Sequence, residues 1–195
     1  MSLMRLALLT CLPLPALADP CADRLADILA NPLFTQTPYE AQATGKIGGG
    51  ETVTFQQFMS DTHSLIKTIT PKGLPDTLFY EGGTYQADGN GEWTLLYSTD
   101  LQQYKDGLAA TRKSQSENVL SAECDSVEID GSTYDRISGV IDIVPPYQSE
   151  WQVSYVMDPA TGLPKQFTYA YTLNGMEAVS RFDYTAKPDM QLPKP

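Results

Sequence analysis

Phe167-Thr168-Tyr169-Ala170-Tyr171-Thr172-Leu173-Asn174-Gly175-Met176-Glu177-Ala178-Val179-Ser180-Arg181-Phe182 is the stretch that decides the fold. Asn174-Gly175 is the dipeptide favoured in a two-residue hairpin turn, whose central positions need positive φ. Folding there sets Leu173 opposite Met176, Tyr171 opposite Ala178, Tyr169 opposite Ser180 and Phe167 opposite Phe182. That side is largely aromatic, whereas Thr168, Thr172, Glu177 and Arg181 occupy the other. One apolar and one polar face is the signature of an antiparallel sheet covered on one side and wetted on the other.

The same period of two extends toward the N-terminus. Trp151, Val153, Tyr155 and Met157 alternate with Gln152 and Ser154, and the turn Asp158-Pro159-Ala160-Thr161-Gly162 follows. Residues 119–129 and 134–143 flank Asp130-Gly131, a second hairpin turn, and Pro145-Pro146 interrupts the pattern. Gly82-Gly83 reads as the turn between Leu78-Phe79-Tyr80-Glu81 and Thr84-Tyr85-Gln86-Ala87. Asp88-Gly89-Asn90-Gly91 then leads into a strand with Trp93, Leu95 and Tyr97 on one face. Tyr39, Ala41, Ala43, Gly45 and Ile47 alternate with Glu40, Gln42, Thr44 and Lys46, and Gly48-Gly49-Gly50 turns the chain into a strand with Val53, Phe55 and Met59 on one face. Another strand covers 65–70, before a loop at 71–75.

Two segments break this period. Asp19 is placed to cap a helix with Pro20 at its first position, Cys21, Leu25, Ile28 and Leu29 at helical spacing, and Asn31-Pro32 as its stop. Thr99 and Gln102 form a capping-box pattern for a second helix, with Leu101, Tyr104 and Leu108 as its apolar stripe, fading near Lys113. The fold class is therefore α+β: a single domain over 19–195 with about ten antiparallel strands curved into a half-open β-barrel, covered by two short helices on its concave side.

Residues 1–18 read as a secretory signal peptide, with Arg5 as their one charge, an apolar run, and Ala16-Leu17-Ala18 as the cleavage site. The run is too short and too proline-broken to span a membrane, and nothing after Ala18 is apolar for long enough. The expected location is the periplasm. Thr10 before Cys11 is a poor lipobox, so release is expected rather than lipid anchoring. The full chain carries a net charge of −11, and −12 without Arg5, which disfavours nucleic acid and anionic membrane as partners. Cys21 and Cys124 remain as a pair in a compartment that permits disulfides. A bond between them closes a loop of about 100 residues, worth roughly 4–5 kcal/mol in the chain-entropy description.

Catalytic patterns are missing from the sequence. His63 is the sole histidine, in a polar stretch read as a surface strand connection, and no serine sits in G-x-S-x-G. Asp88-Gly89-Asn90-Gly91-Glu92 lacks the full ligand spacing of a calcium loop. Turn aspartates bond their own backbone. No metal or cofactor is expected. The aromatics remain, either as plain core or as the lining of a cavity, for which the tiny side chains of Ala41, Ala43 and Gly45 would leave room.

Leu78-Phe79-Tyr80-Glu81-Gly82-Gly83-Thr84-Tyr85 running into Trp93, then Val156-Met157-Asp158-Pro159-Ala160-Thr161-Gly162-Leu163-Pro164, and finally Phe182-Asp183-Tyr184 with Leu192-Pro193, resemble the superfamily of periplasmic lipoprotein carriers typified by LolA and LolB, with LppX and LprG as cousins. The resemblance implies a half-open barrel lidded by helices, an apolar cavity for acyl chains, and a basic residue near it, for which Arg112, Arg136 and Arg181 are all available.

The leading expectation is a soluble, monomeric, non-enzymatic binding or carrier protein for a lipid, lipoprotein acyl chain or other amphiphile. Its candidate cavity residues are Phe55, Tyr80, Trp93, Tyr155, Phe167, Tyr169 and Phe182. The alternatives are an envelope interaction protein with a filled core, offering an edge or loop to a protein partner, and, third, a hydrolase.

Overall fold

In the computed structural model, which describes residues 19–32, 37–88, 90–143, 149–173 and 175–195, eleven strands form one antiparallel sheet. The leader at 1–18 with Cys11, Pro145-Pro146, and the turn residues Gly89 and Asn174 lie outside the described residues. The first meander is β1 (Tyr39–Ile47), β2 (Gly50–Ser60), β3 (His63–Thr70), β4 (Thr77–Tyr80), β5 (Gly83–Ala87) and β6 (Trp93–Ser98). The second is β7 (Val119–Ile129), β8 (Ser132–Ile143), β9 (Ser149–Met157), β10 (Pro164–Leu173) and β11 (Met176–Ala186). The two join where β1 pairs with β11, giving the order β6-β5-β4-β3-β2-β1-β11-β10-β9-β8-β7. Eleven strands agree with the expected ten or so, and the sheet stays open as expected, with β6 and β7 as its edges.

Helix α1 (Pro20–Ala30) begins as the sequence dictates, with the Asp19 carboxylate accepting from the Cys21 and Ala22 N–H groups. It buries Leu25 and Leu29 against Ile137, Ile141, Val153, Tyr155 and Met157. This face is crowded: a Cβ on Gly139 would meet the Ser121 carbonyl at 2.4 Å and Leu25 Cδ2 at 2.5 Å. Cys21 bonds Cys124 with Cα atoms 5.7 Å apart, tying the first turn of α1 to edge strand β7.

Helix α2 (Leu101–Glu117) joins the end of β6 to the start of β7. Its 17 residues, about 25 Å of helix, carry the chain between the two edges of the sheet, and it packs on α1 and β8. Its cap is Asp100, whose carboxylate accepts from the Gln103 N–H at 2.9 Å, rather than the expected Thr99. It also continues past Lys113 to Glu117. None of its residues is buried.

The last hairpin has the register expected from its sequence, from Leu173 opposite Met176 to Phe167 opposite Phe182. The β4–β5 turn shifts by one residue: Tyr80 pairs with Gly83, so Glu81-Gly82 makes the turn with φ of 46° and 85°. Gly82 is required there for a second reason, since a Cβ would sit 2.5 Å from the Thr99 carbonyl at the β6–α2 junction.

Candidate functional site

Residues directly opposite on neighbouring strands share a face of the sheet, so the ladders identify one continuous inner surface beneath the helices. It runs through Ile137, Tyr155, Phe167 and Phe182 on β8 to β11, Ala43 and Thr54 on β1 and β2, and Thr68 on β3. Aromatic rings dominate its middle. Trp151 stacks on Tyr169 and Tyr171 with centroids 5.0 and 4.9 Å apart. Tyr155 stacks on Phe167 at 4.5 Å, and Phe167 lies 5.9 Å from Phe182. The stripe continues from Phe182 to Tyr184, then Tyr39, and ends with Phe58 stacked on Tyr39 at 4.8 Å. Offset stacking of this kind adds to the apolar burial itself.

The small residues of β1 leave a hollow beside the stripe. Ala43, Gly45, Thr52, Thr54 and Gln56 floor a cleft of about 340 Å³ with Tyr169 and Phe182 as its aromatic wall. Under the helices a second cleft of about 380 Å³ is lined by Ile28, Leu29, Tyr39, Phe58, Ile66, Phe79, Leu108 and Tyr155. Both volumes fall in the range of small-molecule sites; the second cleft has mainly apolar walls, whereas Thr44, Glu51, Thr52, Thr54, Gln56 and Ser180 make the first half polar.

The polar groups of the second cleft gather where α2 meets the β2–β3 turn. Arg112 donates to both carboxylate oxygens of Asp61, at 2.8 and 2.6 Å, and the Tyr104 hydroxyl donates to the Asp61 backbone carbonyl at 3.2 Å. All three residues line the second cleft, and the bidentate pair leaves this end electrically balanced. Burial, and secondarily the Asp61 charge, push the Tyr39 hydroxyl well above its usual pKa. Burial does the same to Tyr155 and Tyr184. These rings are neutral walls.

Four of the seven candidate residues, Tyr155, Phe167, Tyr169 and Phe182, meet in the stripe. The other three are corrected by the register. Phe55 pairs with Gln42 and Lys67, and so stands on the outer face, while its neighbours Thr54 and Gln56 face inward. Tyr80 lies opposite His63 and Gly83, on the face of Leu78 rather than that of Phe79. Trp93 pairs with Ala87 on edge strand β6, on the side that carries Tyr85. Tyr39, Phe58, Trp151, Tyr171 and Tyr184 are stripe residues outside the sequence-derived set, although the alternation already placed Tyr39, Trp151 and Tyr171 on an apolar face.

Of the three arginines, Arg112 reaches the cleft. Arg136 and Arg181 are on the outer face, engaged with Asp125 and Asp183. His63 is the first residue of β3 rather than part of a connection; its ring meets Tyr80 edge-on at 4.9 Å, and Nε2 is 2.9 Å from the Pro193 carbonyl. Among the described residues no group of three or more His, Cys, Asp or Glu is placed to hold a metal, and no helix is long and apolar enough to cross a membrane.

No family model matches this sequence, and no curated protein does. Among solved structures the chain is similar to MucB, with a TM-score of 0.48 and 12% identity over 91% of this chain and 62% of that one. It is also similar to the Pseudomonas aeruginosa MucA/MucB complex structure, with a TM-score of 0.47 and 13% identity over 84% of this chain and 56% of that one. The chain thus spans less than two thirds of the length of either. A LolA superfamily protein from Nitrosomonas europaea has a TM-score of 0.37 and 11% identity over 91% of this chain and 96% of that one. The resemblance read from the sequence is met again among these structures, and at such identities it is a likeness of fold alone.

Proposed function

We propose that this protein binds and carries an acyl chain or a similar amphiphile in the cleft beneath its helices, after export to the periplasm and removal of residues 1–18, with 19–195 as one carrier domain. The observation that carries this reading is the cleft itself: Ile28, Leu29 and Leu108 of the helices face Tyr39, Phe58, Ile66, Phe79 and Tyr155 of the sheet across about 380 Å³. Each CH₂ transferred from water to such a wall contributes ~0.8 kcal/mol, so a chain of ordinary lipid length needs no covalent attachment to be held. The Asp61–Arg112 pair and the Tyr104 hydroxyl offer hydrogen-bonding atoms to a headgroup at the other end. No step of this function breaks a bond in the cargo.

The test uses the protein purified without detergent and stripped of lipid by organic-phase extraction. Saturable uptake of a dansyl-labelled undecanoic acid, competed by palmitate and lost in Leu108→Glu, is the expected outcome. Leu108 lines this cleft from α2 without being buried, so the substitution puts a charge among apolar walls at little cost to the fold. A folded wild-type protein that takes up neither probe overturns the carrier reading.

A further inference from the structure

We propose that edge strand β6 is a docking site for an extended apolar segment of another protein, flanked by basic residues and added to the sheet as a twelfth strand. The two edges of the sheet differ in kind. β7 carries Glu123, Asp125 and Glu128, the sort of charge that protects an open edge from pairing. β6 reads Trp93-Thr94-Leu95-Leu96-Tyr97-Ser98, with no charge and no proline. Its residues after Trp93 are all exposed, with Leu95 at 52%, Leu96 at 51% and Tyr97 at 59%. A bulge opposite Thr84 and Tyr85 interrupts the ladder at Leu96, dividing the free edge into two short runs rather than removing it.

Charge selects the occupant. Glu92 directly precedes β6 and Asp100 follows two residues after it, with Asp88 in the preceding turn. A second copy of the chain aligned parallel would set Glu92 beside Glu92 and Asp100 beside Asp100. Aligned antiparallel, it would bring the Glu92 end of each copy to the Asp100 end of the other. Both arrangements put like charges together at both ends, between two molecules that each carry −11 overall. A heterologous segment with Lys or Arg at each end of an alternating apolar run meets the same acids favourably. Main-chain hydrogen bonds would supply affinity and the flanking charges would select partner and rate. Six residues span about 20 Å, so a segment of six to eight suffices.

The test is titration of the intact protein with a fluorescein-labelled peptide of alternating Val and Thr with two lysines at each end. The expected result is saturable binding that weakens at least tenfold between 50 and 300 mM salt. A peptide with glutamates at its ends, and one N-methylated on alternate backbone nitrogens, should each bind at least tenfold more weakly. Amide exchange of 93–98 should slow on binding, and the exposed-site variant Leu96→Lys should lose at least tenfold in affinity. Equal binding of the N-methylated peptide, no binding of the lysine peptide, or protection of 93–98 by self-association without peptide would each overturn the proposal. Acyl-probe uptake is read separately and bears only on the cleft.

Discussion

Arg112 on α2 holds Asp61 of the β2–β3 turn through two parallel hydrogen bonds, at 2.8 and 2.6 Å, across the end of the cleft. With Tyr104 bonded to the same residue, this is the polar fastening of a helix that buries none of its side chains. The two charged side chains are 26% and 33% exposed, so water screens them in part and the pair contributes about 1 kcal/mol. Asp61→Asn is expected to lower the melting temperature by roughly 2–4 °C. The amides of α2 should exchange several-fold faster while those of β8 and β9 do not change. Unaltered exchange in α2 would show that apolar contacts alone hold the helix down.

The other helix is restrained covalently. Cys21–Cys124 closes a loop with a sequence separation of 103, for which the chain-entropy description gives about 4–5 kcal/mol. The double variant Cys21→Ser/Cys124→Ser is therefore expected to melt roughly 10–15 °C lower. α1 should lose amide protection before the central strands, because it is then held by its cap, by Leu25 and Leu29, and by the exposed Arg24–Asp135 ion pair. Calorimetry with and without reductant checks the same point on the wild-type chain.

The half of the sheet built from β7 to β11 was legible from sequence because its aromatic rings share one parity while the other parity is mainly polar, Val156 being its buried exception. Phe167, Tyr169 and Phe182 could be placed on that ground alone. The β2–β5 half defeats the same reasoning. Leu65 and Leu78 are buried on the face opposite Ser64 and Phe79, and the segment 187–195 returns on that side, bonded through Lys187 to the Pro38 carbonyl and through Pro193 to His63. With apolar residues on both faces the phase of the alternation is undetermined, and Phe55 competes with Phe58 for the inner side. Only pairing with Tyr39 resolves it. The Arg112–Asp61 contact, 51 residues apart in sequence, follows from the path of α2 between the sheet edges and has no local signal.

Close approach of α1 to β8 makes Gly139 sensitive to the smallest change. The Cβ of Gly139→Ala would lie 2.4 Å from a backbone oxygen of β7 and 2.5 Å from Leu25. Neither contact is tolerable, and the oxygen belongs to a strand that cannot move alone. A loss of ~1–3 kcal/mol is expected, measured by urea unfolding. Gly107→Ala, with open space around its Cβ site inside α2, should stabilise by up to about 1 kcal/mol. A Gly139→Ala variant as stable as wild type would mean that α1 sits farther from the sheet.

Trp151 offers a direct readout of a ligand laid along the aromatic stripe. The chain has two tryptophans, and Trp93 lies on edge strand β6, off the stripe. In Trp93→Phe the remaining emission comes from the indole stacked on Tyr169 and Tyr171. An acyl chain laid along these rings would displace water from them, so titration with palmitate is expected to shift the Trp151 emission to shorter wavelength. The Trp151→Phe variant should show no such shift. Equal responses from the two variants would locate the ligand away from the stripe.

Tyr39, Tyr155 and Tyr184 should remain protonated in strong alkali for as long as the fold lasts. Burial raises the pKa of each above the ordinary value near 10, since an apolar wall cannot solvate a phenolate. The sign of the linkage follows. A folded-state pKa above the unfolded one gives stability that is fully present below about pH 10 and is lost as pH rises toward the folded value. Spectrophotometric titration at 295 nm should therefore show eight or fewer of the eleven tyrosines ionising reversibly up to about pH 11.5. The buried three should follow only in the unfolding step. Tyr155→Phe, which removes an ionisable hydroxyl and keeps the ring that stacks on Phe167, is expected to move that step to higher pH. A reversible titration of all eleven below the unfolding transition would show that water reaches the inner face freely.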